Sequence, residues 1–510
     1  MTDTGLAAII ARHAQAGPRR TALHFEGVDT SYGELWQRIE TATLTLQAAG
    51  VLPGDRVAWL GLNHPAMLVL LFARARLGAM LLPLNYRLAP AELSAILTHA
   101  GAGLLVADKA HRHGGPINGL MSGAMAGDAN RVLHAEVLWP DAAPASPAIA
   151  PIHLAGHAAS PVLLVYTSGT TGKPKGAVHV QAGLLANCVI SGDAHGLVAD
   201  DHVLTVLPMF HVGGLCIQTL PALYAGAKVT LHARFDAGAW LGAVQRLKPT
   251  LSLLVPATLN DVLDYADFAG TDLSSLRLLN AGSSTIPPAL IAGFHRRGIP
   301  VCQVYGSTET GPVSIYLQSA DAKAHAGSAG KAGLNVDVRL VDSTGLDVAP
   351  GTVGELWVHA PNVMLAYWND PDNPAFQGGW FKSGDLAWRD EGGFYWVVGR
   401  SRDMIISGGE NIYPAELENL LADCPDIAEA AVIGQPDERW GEVAVAVVVK
   451  KPGALLEVPD VMQLFDGKLA RFKHPRRVLF AAALPKTALG KVQKAELAVW
   501  CARHEPFAKT

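Results

Sequence analysis

The sequence predicts a multidomain α/β protein, on three observations. Strand-like runs at Arg56–Leu60, Met80–Pro83 and Leu104–Ala107 alternate with helix-like runs at Tyr32–Ala49 and Pro65–Leu77. That rhythm is the pattern of a largely parallel sheet covered by helices. From about residue 330 to 400 the chain changes to short strands separated by turns (Val336–Val341, Gly354–His359, Gly393–Val398), which predicts a β-rich subdomain. The segment Gly399–Pro414 is then dense in glycine and charge and reads as a domain boundary. Beyond it lies a small α+β unit with strands near Glu429–Ile433 and Glu442–Lys450.

The remaining elements follow in order. The most apolar stretch, Ala66–Leu84, carries Arg74 and Arg76 near its middle. A membrane-spanning helix would have to bury both charges, so a packed helix followed by a strand is expected. Gly114–Asn130, rich in Gly, Ala and Met, and Pro140–Ser160, rich in Ala and Pro, read as loops. A strong strand at Pro161–Tyr166 runs into a Gly/Thr/Lys loop, and further β/α units fill roughly 180–310. No internal repeat is visible.

Composition excludes several classes. The 510 residues suffice for more than one core, and the formal charge of −5 offers no basic field to hold nucleic acid. The cysteines, Cys188, Cys216, Cys302, Cys424 and Cys501, are odd in number, far apart and without a CxxC pair. This argues against a disulfide framework or a zinc site and suits a reducing, cytoplasmic setting. The first residues lack a basic-then-apolar leader pattern, and the run Leu6–Ile10 is too short for one.

The most informative segment is Tyr166-Thr167-Ser168-Gly169-Thr170-Thr171-Gly172-Lys173-Pro174-Lys175-Gly176. Glycines let successive N–H groups turn inward as an anion nest, hydroxyls donate to phosphate oxygens, and Lys173 or Lys175 adds charge. It is not a Walker A loop, because Gly-x-x-x-x-Gly-Lys-Ser/Thr cannot be aligned on it. A flexible polar surface loop is the bland alternative; two lysines and a buried-type strand in front weigh against it.

Together with later segments, this loop resembles the adenylate-forming superfamily, specifically acyl-CoA synthetases of the fatty-acyl, 4-coumarate and 4-chlorobenzoate ligase kind. The matching segments, in family order, are Tyr166–Gly176, Leu207–His211, Tyr305–Glu309, Ser383–Asp385, Gly399–Pro414 and Pro485–Lys491. Each is weak alone; six in order, over essentially the whole chain, are specific. The resemblance implies a large N-terminal domain (1–402) of two sandwiched α/β subdomains plus a β-barrel-like subdomain. A small mobile C-terminal domain (403–510) would follow. It implies ATP, Mg²⁺ and coenzyme A, with a carboxylic acid converted to acyl-AMP and then to acyl-CoA.

The resemblance also implies roles. Thr308 would contact the α-phosphate and Glu309 would hold Mg²⁺, a metal content with one or two carboxylates plus phosphate oxygens. Asp385 would accept from both ribose hydroxyls, with Arg400 beside it. Tyr305 would stack on adenine, with Gly282 and Ser283 on the base's other side. His211 would stand at the acid site. Lys491 would bridge the attacking carboxylate and the α-phosphate as charge builds in the transition state. Asp403 would be the hinge, so that one small domain presents Lys491 for adenylation and the Ser407-Gly408-Gly409 face for thioester formation. Each has a bland counterpart: a turn, a cap, a packed histidine, a solvated lysine.

Coenzyme A carries several phosphates. The cluster Arg471–Arg477, with Lys473 and Arg476, offers cations for them, and Trp440 offers a ring for the adenine. His474 stands where relatives carry Arg or Lys. By resemblance the acid pocket lies near Cys188, Val212, Gly213, Ala281, Gly282, Pro312 and Val313, which supply no charge. An aryl or medium-chain fatty acid is therefore expected, and a dicarboxylate is not. The sequence leaves a homodimer open. Two rival readings are an adenylation enzyme loading a carrier protein in trans and a catalytically inactive nucleotide-binding protein. Intact Thr308, Glu309, Asp385 and Lys491 weigh against the second.

Overall fold

The computed structural model describes residues 5–111, 131–140, 154–167, 174–282, 286–407, 410–437, 440–466, 468–469, 471–487 and 490–504. The loop readings at Gly114–Asn130 and over most of Pro140–Ser160 lie outside them.

Two sheets carry the large N-terminal part. A nine-stranded sheet has at its centre Val301–Tyr305, Leu278–Ala281, Leu251–Leu254, His202–Thr205, Lys228–Leu231 and Thr21–Phe25, in that spatial order and all parallel. Leu251–Leu254 and Leu278–Ala281 are buried along their whole length, as strands covered on both faces must be. A seven-stranded sheet places Met80–Leu84, Arg56–Leu60, Leu104–Ala107 and Arg131–His134 in parallel, next to the hairpin Pro161–Thr167 and Lys175–Val180. The strands of the early β/α alternation thus all fall in this second sheet, while the later β/α units build the first. Thr21–Phe25, not read as a strand from sequence, pairs with a strand some two hundred residues away (Leu23 opposite Val229). Such pairing leaves no local signature.

The apolar stretch forms a packed helix, Pro65–Leu77, followed by the strand Met80–Leu84. His64 caps it by accepting from Ala66 N, Pro65 sits in its first turn, and Gly78 closes it at φ 71°. All thirteen residues are buried. Arg74 donates to the Val57 carbonyl at 3.0 Å, and burial pushes its guanidinium well below the ordinary range. Arg76 lies over the Trp36 ring at 4.8 Å. Among the described residues no helix is long and apolar enough to cross a membrane.

The β-rich subdomain is a five-stranded antiparallel sheet of Asp337–Val341, Gly354–His359, Trp380–Arg389, Phe376–Gln377 and Tyr395–Arg400. Its last strand starts two residues later than Gly393, because Asp390–Phe394 closes a turn with Gly393 at φ 84°. The C-terminal sheet joins Glu410–Ile412, Ile405–Ser407, Gly441–Lys450, Ile427–Asp437 and Arg477–Phe480 around a separate core that includes Ile405, Leu417, Val432, Ala446 and Phe465.

Burial also sets an acid limit. His179 and His195 are each 1% exposed, and burial pulls both rings down to about 4. An unfolded histidine takes its proton near pH 6.5, so between pH 6.5 and 4 only the unfolded chain gains protons. Stability is full above about pH 6.5 and falls as the pH drops toward 4, by on the order of 2–3 kcal/mol for each ring. Thermal melts from pH 7.5 to 4.5 should show Tm dropping through this window; a flat or rising Tm contradicts it.

Candidate active site

The Gly/Thr/Lys loop joins two antiparallel strands, with Thr167 opposite Lys175 and the Thr167 hydroxyl 3.5 Å from the Lys175 carbonyl. It is therefore a hairpin tip and not the strand-to-helix turn of a nucleotide P-loop. Ser168, Gly169, Thr170, Thr171, Gly172 and Lys173 lie outside the described residues. Lys175 Nζ sits 5.0 Å from the centre of the Tyr367 ring, and Tyr367 Oη donates to Glu309 Oε1 at 2.9 Å. Tyr367 comes from the two-residue strand Ala366–Tyr367, which pairs with Lys175–Val180. Burial first, and then the Glu309 charge, raise the Tyr367 phenol, so it remains a donor. The end of the phosphate loop and Glu309 are thereby joined through one ring.

Glu309 follows Val301–Tyr305 in a tight turn. A Cβ on Gly306 would lie 1.7 Å from the Pro312 carbonyl oxygen, so only glycine fits. The Glu309 carbonyl accepts from Met364 N at 2.8 Å. Its carboxylate keeps lone pairs beyond the Tyr367 bond, which suits Mg²⁺. Among the described residues no group of three or more His, Cys, Asp or Glu could hold a metal by itself. Glu309 would thus share the ion with nucleotide oxygens.

Asp385 lies opposite Arg400 on neighbouring strands of the β-rich sheet. Its Oδ1 pairs with Arg400 Nε at 3.0 Å, and its Oδ2 accepts from Tyr305 Oη at 2.7 Å. Tyr305 therefore also orients Asp385, a role beyond the expected ring stacking. Burial and then the Asp385 charge raise the Tyr305 phenol well above its ordinary value. Gly282 directly follows the strand Leu278–Ala281, beside Val301–Tyr305, where a Cβ would meet the Val304 carbonyl oxygen at 2.8 Å. Ser283 lies outside the described residues. Thr308 is placed in the same turn as Glu309, near His179.

Lys491 stands against this cluster. The loop bearing it is closed by Thr487 N to the Lys491 carbonyl at 2.7 Å and Lys491 N to Thr487 Oγ1 at 3.2 Å. Gly490 takes φ 78° and faces Ala257 of the large domain. Desolvation is the main cause that lowers the Lys491 ammonium. Arg400 then lowers it further, and Asp385 opposes. Arg402 and Asp403 are the other charges it senses. Asp403 ends the short helix Ser401–Asp403 between the two sheets.

The expected coenzyme A residues divide. Arg476 lies 4.9 Å over the Trp440 ring, and Ser407 pairs with Gly441 on the adjoining strand. Lys473 is instead paired with Glu416 at 2.6 Å. Gly408 and Gly409 lie outside the described residues.

Several residues expected to line the acid pocket adjoin buried amides that sequence reading missed. Asn187 Nδ2 donates to the Cys216 carbonyl at 2.7 Å, beside Cys188. Asn362 Nδ2 donates to the Val313 carbonyl at 2.9 Å and reaches Asn187 Oδ1 at 3.3 Å. Gln218 Nε2 donates to Asn280 Oδ1 at 2.6 Å, next to Ala281. Polar residues inside an apolar run were the available signal, as for Gln218 and Thr219 within Leu215–Leu223. Val212 and Gly213 begin the π-helical turn Gly213–Thr219. An added Cβ at Gly213 would meet nothing within 4 Å. His211 packs on Phe210 with ring centres 4.5 Å apart, and burial followed by Arg87 pulls it down to about 4, so it is neutral near pH 7.

Comparison with known proteins gives the same picture. The family described as AMP-binding enzyme matches residues 10–368, and its C-terminal domain matches 416–491. An indoleacetate–CoA ligase of Aromatoleum aromaticum is 47% identical, over 97% of this chain and 98% of that protein. A feruloyl-CoA synthase of Amycolatopsis sp is 40% identical over 98% and 99%. An o-succinylbenzoate coenzyme A synthetase of Bacillus subtilis, solved with ATP and a magnesium ion, superposes with TM-score 0.85 at 30% identity, covering 96% and 98% of the two chains.

Proposed function

We propose, for a chain that belongs to the AMP-binding enzyme family and is an ATP-dependent acyl-CoA synthetase, that the acid it activates is an aryl acid. What carries this is the open space at Gly213, together with the buried, uncharged side chains Cys188, Val212, Ala281 and Val313 that the family motifs assign to the acid site. The names of the two relatives above, which act on indoleacetate and ferulate, support it.

In this reading the acid's carboxylate attacks the α-phosphorus of ATP and pyrophosphate leaves. The coenzyme A thiolate then attacks the acyl carbonyl and AMP leaves. The hairpin loop from Thr167 to Lys175 and Thr308 hold the phosphates, Asp385 and Arg400 the ribose, and Lys491 the charge that develops at the α-phosphate. Bound Mg²⁺ at Glu309 supplies charge neutralisation on the phosphates. Neutral His211 borders the acid without adding a charge. Asp403 is the hinge between 1–402 and 403–510, about which the small domain turns to offer the face of Ser407, Gly408, Gly409, Trp440 and Arg476. Lys473, held by Glu416, contributes less to that face. The buried cysteines Cys188, Cys216, Cys302 and Cys424, none of them in a disulfide, support a cytoplasmic setting.

The test is acid-dependent pyrophosphate release and CoA-dependent AMP release across aryl, straight-chain and dicarboxylic acids. Aryl acids should rank first in kcat/KM; malonate or succinate ahead of every monocarboxylate sinks the apolar pocket. Gly213→Leu should cut kcat/KM for a bicyclic aryl acid by about 10–100-fold, the cost of overfilling a packed site, and affect propionate far less. Equal loss for both acids would place Gly213 outside the pocket.

A further inference from the structure

We infer that Gln218 Oε1 is a specificity determinant that accepts a hydrogen bond from a donor on the acid's tail, a ring N–H or a phenolic O–H. This deepens the aryl-acid reading and rests on it.

The orientation of the amide follows from its neighbours. Asn280 is 1% exposed, and its side chain lies 3.3 Å from the Cys302 carbonyl oxygen. A backbone carbonyl can only accept, so Asn280 turns its NH₂ toward Cys302 and its oxygen toward Gln218. Gln218, 2% exposed, must then offer its own NH₂ to Asn280, at 2.6 Å. Its Oε1 is left as an acceptor, and no donor reaches it among the described residues. The nearby hydroxyls have other partners. Thr219 donates to the Gly214 carbonyl at 2.6 Å, which leaves Thr205 to donate to Thr219 at 2.7 Å.

A buried amide oxygen without a partner is costly, and a ligand that brings a donor recovers that loss. There is room for such a group. Gln218 lines a cavity of about 10 Å³ with Thr205, Leu207, Gly213, Gly214 and Thr219, space for about one water-sized group. Gly213 belongs to the proposed acid pocket as well, and Asn280 adjoins Ala281 of that pocket. The ring would occupy the apolar part and present only its donor here. The other cavity residues, Leu204, Val206 and Leu253, are uncharged, which favours a neutral donor over an ammonium. The seven-residue π-helical turn Gly213–Thr219 is what carries Gln218 to this position.

The test compares indole-3-acetate with benzothiophene-3-acetate, of similar size but without the N–H. The readout is the ratio of their kcat/KM values in the wild type and in Gln218→Met, with Gln218→Leu as a second variant. The wild type should favour the N–H acid by about tenfold or more, and the ratio should fall to near one in either variant. A purely structural role for Gln218 would lower both acids equally and leave the ratio unchanged, which overturns the proposal. A ratio near one in the wild type also overturns it, since a resident water would then satisfy Oε1; this result needs no variant to fold. Brisk turnover of straight-chain acids with neither aryl acid used would remove the aryl-acid reading and this proposal together. Brisk aryl turnover with no discrimination removes this proposal alone.

Discussion

Lys491→Ala is expected to lower acid-dependent pyrophosphate exchange by about 10²–10³, the usual worth of one preorganised charge at a transition state. Thioester formation from supplied acyl-AMP should be nearly intact. The asymmetry follows from where Lys491 stands, beside Asp385 and Arg400 and on a loop packed against Ala257 of the large domain. In this arrangement the C-terminal domain presents its lysine to Asp385 and Arg400, the proposed nucleotide side. The second half-reaction is assigned to the opposite presentation, in which Lys491 takes no part. Stopped-flow thioester formation and pyrophosphate exchange, each measured on the folded variant, decide the matter. If both rates fall together, Lys491 is structural or serves both steps.

Asp385→Asn is expected to lower kcat/KM for ATP by about 10–100-fold, because hydrogen bonds to a charged acceptor contribute about 1.5–3 kcal/mol. An asparagine offers one accepting oxygen where the carboxylate has two. It must also choose between Tyr305 and the ribose and loses the Arg400 ion pair of 3.0 Å. The specific readout is sugar discrimination. The wild type should reject 2′-deoxy-ATP and 3′-deoxy-ATP strongly, and the variant should distinguish them from ATP far less. Undiminished discrimination would move the ribose contact elsewhere.

Much of this protein was legible in order along the chain. The helix Pro65–Leu77 is bounded by proline at its start and glycine past its end, and its two arginines already spoke against a membrane span. The short-strand block of the β-rich subdomain and the glycine-dense boundary at Gly399–Pro414 are patterns of neighbouring residues. Motif residues such as Glu309, Asp385 and Lys491 could be named because their chemistry is carried in short contiguous segments. Gln218, Asn280, Asn187, Asn362 and Tyr367 could not, because each matters through a partner distant in sequence. Tyr367 reaches Glu309 across 58 positions, and Gln218 reaches Asn280 across 62.

By itself, the sequence determined the α/β class, the order of the motifs and the residues proposed to meet a nucleotide. Periodicity, turn chemistry and phosphate-binding composition are local properties. Only the tertiary structure decided that Thr21–Phe25 joins a sheet built from residues beyond 200, that the phosphate loop is a hairpin tip, and that Lys473 is paired with Glu416 while Arg476 covers Trp440. It also decided which end of the Gln218 amide is left without a donor. These are outcomes of long-range strand pairing and of competition among buried donors and acceptors, and both are settled only when the chain closes around them.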